Sequence, residues 1–359
     1  MNIKRIKLKS FRNYEEQEIQ LGKNINIFYG NNAQGKTNII ESIFLCAYGK
    51  SFRAKRDKDL IQFNKQFATV EIDYEKIDRQ GNIRVNLDQK KVFFLNDIKQ
   101  DKVSKIVGKI NIVIFTPDDI SIIKGDPEKR RRFLDMMISS LRPNYIYLLN
   151  RYRNILEERN NYLKQIKIDG KKEELLDLWD EQLSDYSAQI YEYRKLFIEK
   201  IQKKAQVIHN SITKSGKEEI KIEYLNNGKN KEDFLNNLIR NRKKDIFRGY
   251  TSSGIHREDL LVYINGKAVG NYGSQGQQRT SILTLKLCEL EIVKEEINET
   301  PILLLDDYMS ELDEIRRKSF LENIKDCQVI LTCTEDMDIE NECKKFNIVN
   351  GKCLIAEVV

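Results

Sequence analysis

Apolar and polar positions alternate along the first hundred residues. The runs IKRIKLKSF, INIFY, ATVEIDY, IRVNLD and VFFLN carry strand-like alternation or are rich in β-branched and aromatic residues, so each is predicted to be a strand. The run TNIIESIFLCAY over 37–48 is long and apolar enough for one helix among them. From 127 to about 214 the pattern turns charged, nearly free of glycine and helically periodic, as in Tyr145, Leu148, Leu149, Tyr152, Ile155 and Leu156. Gly170 and its neighbouring lysines mark a predicted turn between long helices, and 215–217 a second break. Strands and helices return from about residue 250, ending in QVILT, NIVN and CLIAEV. Leu283, Leu287, Leu290, Val293 and Ile297 there predict one apolar helical stripe packed on a sheet. The chain is therefore expected to be α/β, one domain built from 1–126 and 246–359 and a mainly helical lobe inserted over 127–245.

Composition narrows the partners. The 359 residues carry a formal charge of +7, which favours an anionic partner, a phosphate polymer before others. No apolar run approaches the roughly 18 residues of a membrane span, and the N-terminus alternates instead of forming a signal peptide, so a soluble cytoplasmic protein is expected. The six cysteines form no C-x-x-C pair and read as reduced thiols. The spacing of Cys327, Cys333, Cys343 and Cys353 fits no common zinc pattern, and two histidines are too few for a histidine-rich metal centre.

Two stretches carry chemistry. Residues 30–38 read GNNAQGKTN, a Walker A match with Gly30, Gly35, Lys36 and Thr37 in place between a predicted strand and helix. The glycines let backbone N–H groups curl round phosphate oxygens, with Lys36 as the mobile charge and the Thr37 hydroxyl on magnesium. A glycine turn before a core helix is the plainer alternative. Residues 301–313 read PILLLDDYMSELD, a buried strand delivering Asp306 and Asp307 at its C-terminal end, where open α/β sheets bind ligands. Asp306 would hold magnesium and Asp307 would act as general base or orient water. Ser274, Gly276 and Gln277 open the helix before this strand and offer a second phosphate-binding surface, or only a helix cap.

Together these motifs resemble the signature element, Walker B and D-loop of ABC-type ATPases of the SMC class. LKSFRNY at 8–14, SFR at 51–53, FTPDDISIIKGDPEKRRRFLD at 115–135, LEERNNYLK at 156–164, GIHREDL at 254–260, SQGQQRT at 274–280 and LLLDDYMSELD at 303–313 are similar, in family order, to the RecF family. The resemblance implies an ABC/SMC-like P-loop ATPase head with an inserted helical second lobe. It implies that Asn31, Asn32, Ala33, Gln34, Gly35, Lys36 and Thr37, with Gly30 and Asn38 flanking, hold ATP, and that Thr37 and Asp306 serve Mg2+. Asp307 takes the usual ABC glutamate position. Ser274, Gly276 and Gln277 are implied to meet the γ-phosphate on the opposite subunit, with Asp313 in the D-loop and Thr332 or Thr334 near the switch position. Ile255 departs from the family's expected proline, which leaves His256 and Arg257 without an assigned role, and no Q-loop glutamine is evident near 115–118.

One P-loop and one signature per chain imply an ATP-dependent homodimer, and an aspartate in place of glutamate implies slow turnover. DNA is the expected cargo, chiefly on the resemblance and also because basic clusters lie at 50–58, 129–132, 151–159 and 240–248, each able to neutralise phosphates. Tyr145, Tyr147 and Tyr152 could stack on bases, although their spacing favours packing, as for Trp179. The resemblance implies gapped duplex or single-strand to duplex junctions, RecR as partner, functional links to RecO and RecA, and a part in recombinational repair, replication and the SOS response. A P-loop kinase or GTPase acting on a small anionic substrate is the competing reading, and it needs no signature serine. A structural SMC tether would need a far longer coiled coil.

Overall fold

The computed structural model describes residues 1–213, 216–335 and 342–358. The chain divides into two compact units, one from 1–119 with 289–359 and one from 120–288.

In the first unit β1 (Asn2–Phe11), β2 (Tyr14–Gln20) and β3 (Ile25–Tyr29) precede α1 (Lys36–Tyr48). Then come β4 (Ala68–Glu75), β5 (Gln80–Leu87), β6 (Val92–Leu95), β7 (Ile98–Gln100) and β8 (Ile112–Phe115). Six of these strands form an antiparallel sheet in the order β2-β1-β4-β5-β6-β7. Alternation survives folding here: Ala68, Val70, Ile72 and Tyr74 of β4 are buried and the residues between them are not, because a sheet with one covered face buries every second side chain.

The second unit begins with α2 (Ile120–Lys124), α3 (Pro127–Leu141), α4 (Pro143–Asp169) and α5 (Leu176–Thr213). Pro127 and Pro143 each open a helix, where a missing N–H costs nothing. Gly170, left-handed at φ 64°, ends α4 at the expected turn. The second expected break, at 215–217, falls partly outside the described residues. Tyr145, Leu148, Leu149, Tyr152 and Ile155 form the buried face of α4. Trp179 packs beside Tyr162, Leu163, Ile166 and Leu176, while Tyr147 is exposed.

Next come β9 (Ile220–Leu225), α6 (Lys231–Arg248), β10 (Asp259–Ile264), β11 (Lys267–Ala268), α7 (Val269–Tyr272) and α8 (Gln275–Ile297), the last running past the division between the units. The expected return to the first domain at residue 246 differs from the observed division at 288. The reason is pairing: β10 lies antiparallel to β9 along its whole length, which ties 259–264 to the inserted unit. Over 281–290 α8 is buried around its full circumference, Ser281, Thr284 and Lys286 included, so the predicted single stripe understates its burial.

Two expected basic surfaces are partly internal. Arg130 is buried against Asp259 at 2.6 and 2.9 Å. Arg159, fully buried, donates to Asp180 at 2.6 Å, Asp245 at 3.0 Å and the Thr251 hydroxyl at 2.9 Å. Likewise Arg194 donates to Asp135 at 2.9 Å and Glu258 at 3.1 Å. Charge runs in a sequence cannot separate such partnered arginines from solvated ones, because the carboxylates come from distant elements.

The chain then returns to the first unit with β12 (Ile302–Leu305), α9 (Glu314–Asn323), β13 (Val329–Cys333), β14 (Cys343–Val349) and β15 (Lys352–Val358). These join β3 and β8 in a sheet ordered β15-β14-β3-β13-β12-β8, parallel except for the edge strand β15. Ile25, Asn26, Ile27 and Phe28 of β3 are all buried, not alternating, as befits an inner parallel strand. Asn26 meets its polar needs internally, its amide donating to Gly22 O at 3.0 Å and its oxygen accepting from Gly22 N at 2.7 Å. Among the described residues no helix is long and apolar enough to cross a membrane, and no His, Cys, Asp and Glu group is placed to hold a metal ion.

Candidate nucleotide site

Strands β3, β13 and β12 are adjacent and parallel, so their C-terminal ends open side by side, where an open α/β sheet collects ligands. They deliver Gly30, Thr332, and Asp306 with Asp307, in that order. The predicted core of the site is thus brought together by topology alone.

After β3 the loop turns sharply. Gly30 has φ 142° and Gly35 φ 115°. A Cβ on Gly30 would stand 2.5 Å from Ile348 O, and one on Gly35 2.5 Å from Asn13 Nδ2, so both positions demand glycine. Asn31, Asn32 and Ala33 are exposed, and Ala33 is itself left-handed at φ 64°. Lys36, only 4% exposed, folds its ammonium back on the loop, donating to Gly30 O at 2.7 Å and Asn31 O at 3.0 Å. No side chain caps α1 and no acid stands in its own first turn, so its first N–H groups face the loop without an intrahelical partner.

A scaffold the motif did not name holds this loop. The Gln34 carbonyl accepts from Asn13 Nδ2 at 2.7 Å and from Gly351 N at 3.2 Å, while Gln34 Oε1 accepts from Asn350 N at 2.6 Å. Asn13 Oδ1 in turn accepts from Asn38 at 2.8 Å, and the Tyr14 hydroxyl donates to Gly35 O at 3.1 Å. Asn350 and Gly351 both have positive φ, the requirement of a tight hairpin turn between β14 and β15. The NG dipeptide was a readable signal for the turn, though not for its contact with a loop more than three hundred residues earlier. Beneath lies Glu41, fully buried, which accepts from Arg12 twice at 2.8 Å, from Arg53 at 2.9 Å and from the Ser51 hydroxyl. Burial pushes the Glu41 carboxyl up, but these hydrogen bonds outweigh it and hold it below the usual carboxylate range. Arg53 also donates to Asn38 Oδ1 at 2.7 Å.

Asp306 is buried at the end of β12. Burial raises its pKa, opposed by hydrogen bonds from Thr37 and Thr332. A buried carboxylate whose charge is disfavoured, touching the hydroxyl of the loop's own threonine, is an oxygen donor pair suited to a hard divalent cation. Asp307 adopts a left-handed backbone, φ 49° and ψ 18°. Its N–H donates to Thr332 Oγ1 at 2.9 Å, and that hydroxyl donates to Asp306 Oδ1 at 3.1 Å. Thr334 is exposed just beyond β13. Asp313 caps α9 by accepting from Arg316 N at 2.9 Å and pairs with the Arg316 side chain.

Ser274, Gly276 and Gln277 lie in the second unit. Ser274 Oγ accepts from Gln277 N at 3.2 Å and Gln277 Oε1 accepts from Ser274 N at 3.0 Å, a reciprocal capping box opening α8. The His256 ring is half-buried and bonds Tyr152 Oη at 2.6 Å and Thr251 O at 3.1 Å, while Arg257 is exposed and donates to Thr251 O at 3.3 Å.

The parallel sheet with its glycine loop after β3 and its carboxylates after β12 defines the head fold of the SMC-type P-loop ATPases. The family model described as RecF/RecN/SMC N terminal domain matches residues 2–124, and a solved SMC head bound to the C-winged helix domain of ScpA shares the fold, at 16% identity and TM-score 0.55. Within that class the resemblance is much nearer to one branch. The DNA replication and repair protein RecF of Clostridium tetani is 43% identical over 99% of this chain and 100% of its own length, and that of Clostridium kluyveri is 44% identical over 98% and 99%. A solved RecF-ATP structure of the recombination mediator protein in the RecFOR pathway superposes with TM-score 0.93 at 36% identity, covering 99% of this chain and 97% of that one. The chain belongs to the RecF family of DNA replication and repair proteins.

Proposed function

We propose that this chain is an ATP-gated DNA-binding protein that dimerises around nucleotide on gapped duplex or single-strand to duplex junctions and uses slow, DNA-stimulated hydrolysis as a switch. One observation carries the reading: Lys36 is folded onto the Gly30 and Asn31 carbonyls beside an uncapped helix N-terminus, with Thr37 against a buried Asp306. That is a set of donors and one acid waiting for a phosphate chain and a cation. The RecF-ATP structure supports ATP as the nucleotide.

ATP phosphates entering the loop would draw Lys36 off the carbonyls and onto their oxygens, with the N–H groups of 31–37 around them. Thr37 and Asp306 would hold Mg2+. Bound there, the ion neutralises phosphate charge and polarises the transferred group. Asp307 faces the γ-phosphate position as base or water-orienting group, and its short side chain suits a timer more than a motor. Ser274, Gly276 and Gln277 complete the site of a second chain, and Asp313 belongs beside it. Exposed cations, among them Lys55, Lys58, Arg151, Arg153, Lys243 and Lys244, supply sequence-independent phosphate contacts. Membership of the RecF family and the RecFOR pathway named for the solved relative support RecR as direct partner, with RecO and RecA loading downstream, in the cytoplasm.

The test is fluorescence anisotropy of a labelled gapped duplex at fixed salt, with ATP and with ADP, for the wild-type chain and Ser274→Arg. Tight binding only with ATP, lost in Ser274→Arg, supports the reading. Equal binding in both nucleotides detaches the loop from DNA.

A further inference from the structure

Gln277 is held at both ends of its amide. Its Oε1 accepts from Ser274 N at 3.0 Å, and its Nε2 donates to Glu218 Oε1 at 2.8 Å. Glu218 is fixed from behind: its Oε2 lies 3.0 Å from His209 Nε2, and its backbone carbonyl accepts from Gln206 Nε2 at 2.9 Å. His209 is fully buried near the end of α5, and its other ring nitrogen lies 3.1 Å from the Thr284 hydroxyl, which donates to Thr280 O at 2.9 Å. Gln277 and Thr284 are about two turns apart on one face of α8. The histidine and glutamate therefore grip the helix at two levels of the same face.

We infer that Glu218, seated by His209, is a positioning residue that fixes the amide of Gln277 and so pre-forms the signature element for the nucleotide of a second chain. The chemistry is in the amide's asymmetry. A glutamine amide can turn over, exchanging its acceptor oxygen for its donor nitrogen. A carboxylate accepts only, so Glu218 holds Nε2 on its own side and leaves Oε1 to take the Ser274 N–H. Ser274 Oγ then accepts the Gln277 N–H and the first turn of α8 is set before nucleotide arrives. Without Glu218 the amide samples both orientations and the cap frays, which removes preorganisation rather than any contact to nucleotide.

This rests on the two-chain reading above, and the experiment separates the two. Sedimentation equilibrium of the full chain with ATP and Mg2+ would compare wild type, Glu218→Ala, Glu218→Gln and Ser274→Arg, alongside single-chain ATP affinity, thermal midpoint and amide exchange at 274–277 without nucleotide. Glu218→Ala is expected to weaken the ATP-dependent dimer about tenfold, since both symmetric sites lose the positioning. It should also speed exchange at 274–277 and, because buried His209 loses a partner, lower the midpoint modestly, while leaving single-chain ATP affinity unchanged. Glu218→Gln, which keeps an acceptor oxygen, should fall between. Dimerisation of Glu218→Ala at wild-type strength beside a failed Ser274→Arg overturns the inference alone, as does a dimer loss matched by an equal fall in midpoint. Wild-type dimerisation by Ser274→Arg overturns the two-chain reading and the inference with it.

Discussion

Thr332 holds Asp307 by its backbone: the Asp307 N–H donates to Thr332 Oγ1 at 2.9 Å, while the same hydroxyl donates to Asp306 Oδ1 at 3.1 Å. One side chain on β13 thus holds the Asp306 carboxylate and the Asp307 backbone on the neighbouring strand end. Thr332→Val keeps the shape and removes both bonds, leaving the half-buried Asp307 N–H without its partner at about 1 kcal/mol. The expected outcome is a lower thermal midpoint and ATP turnover reduced about tenfold through misplacement of Asp307. Thr332→Ser should recover most of both.

The left-handed backbone of Asp307 suits a short acid at the position that the resemblance aligns with an ABC glutamate. Aspartate and asparagine tolerate φ 49°, whereas most longer side chains there are strained by about 1 kcal/mol. Asp307→Asn should therefore fold like wild type and still dimerise with ATP, with hydrolysis down about a hundredfold. Asp307→Glu should lose stability in denaturant titrations without a rise in turnover. A faster, equally stable glutamate variant would contradict this account.

As the proposed metal ligand, Asp306 would link metal binding to stability. Burial raises its folded pKa, so the stability it contributes is present at low pH and lost as pH rises through that folded value. Burial makes its charged form costly, a cost that a cation bound there, as proposed, would relieve. Asp306→Asn should raise the midpoint of the nucleotide-free chain. It should also abolish the stabilisation by ATP with Mg2+, which in wild type reaches about 2.7 kcal/mol at a hundredfold excess over Kd.

His256 gives the opposite slope. Its pKa is lowered to about 4 by burial, aided by the charges of Arg257, Arg131 and Arg159 against the raising hydrogen bond to Thr251. With an unfolded value near 6.5, the neutral ring contributes stability above that pH, lost as pH falls through the window down to about 4. The total is about 3 kcal/mol. Thermal scans from pH 7 to 4.5 should show this loss, and His256→Gln should flatten it.

Local order was readable where local chemistry decides it. The glycine loop, α1, the acidic end of β12 and the antiparallel strands all follow from spacing, because period and turn residues determine them within a few positions. The return of the chain at residue 288, the hairpin tip of Asn350 and Gly351 under the loop, and the burial of Arg130 and Arg159 were not readable. Each depends on partners tens to hundreds of residues away, and a charged side chain looks the same in sequence whether it meets water or a buried aspartate. His256, which the resemblance left unassigned, braces Tyr152 against the Thr251 carbonyl, a contact between elements that spacing does not reveal.

In the proposed dimer one chain's P-loop works with the other chain's signature. The most direct test mixes two inactive variants, Lys36→Met and Ser274→Arg, and measures ATP hydrolysis at saturating nucleotide and DNA. In a mixed dimer one site combines an intact P-loop with an intact signature, so an equal mixture should recover about a quarter of wild-type turnover. A mixture as inactive as either variant alone would contradict the account.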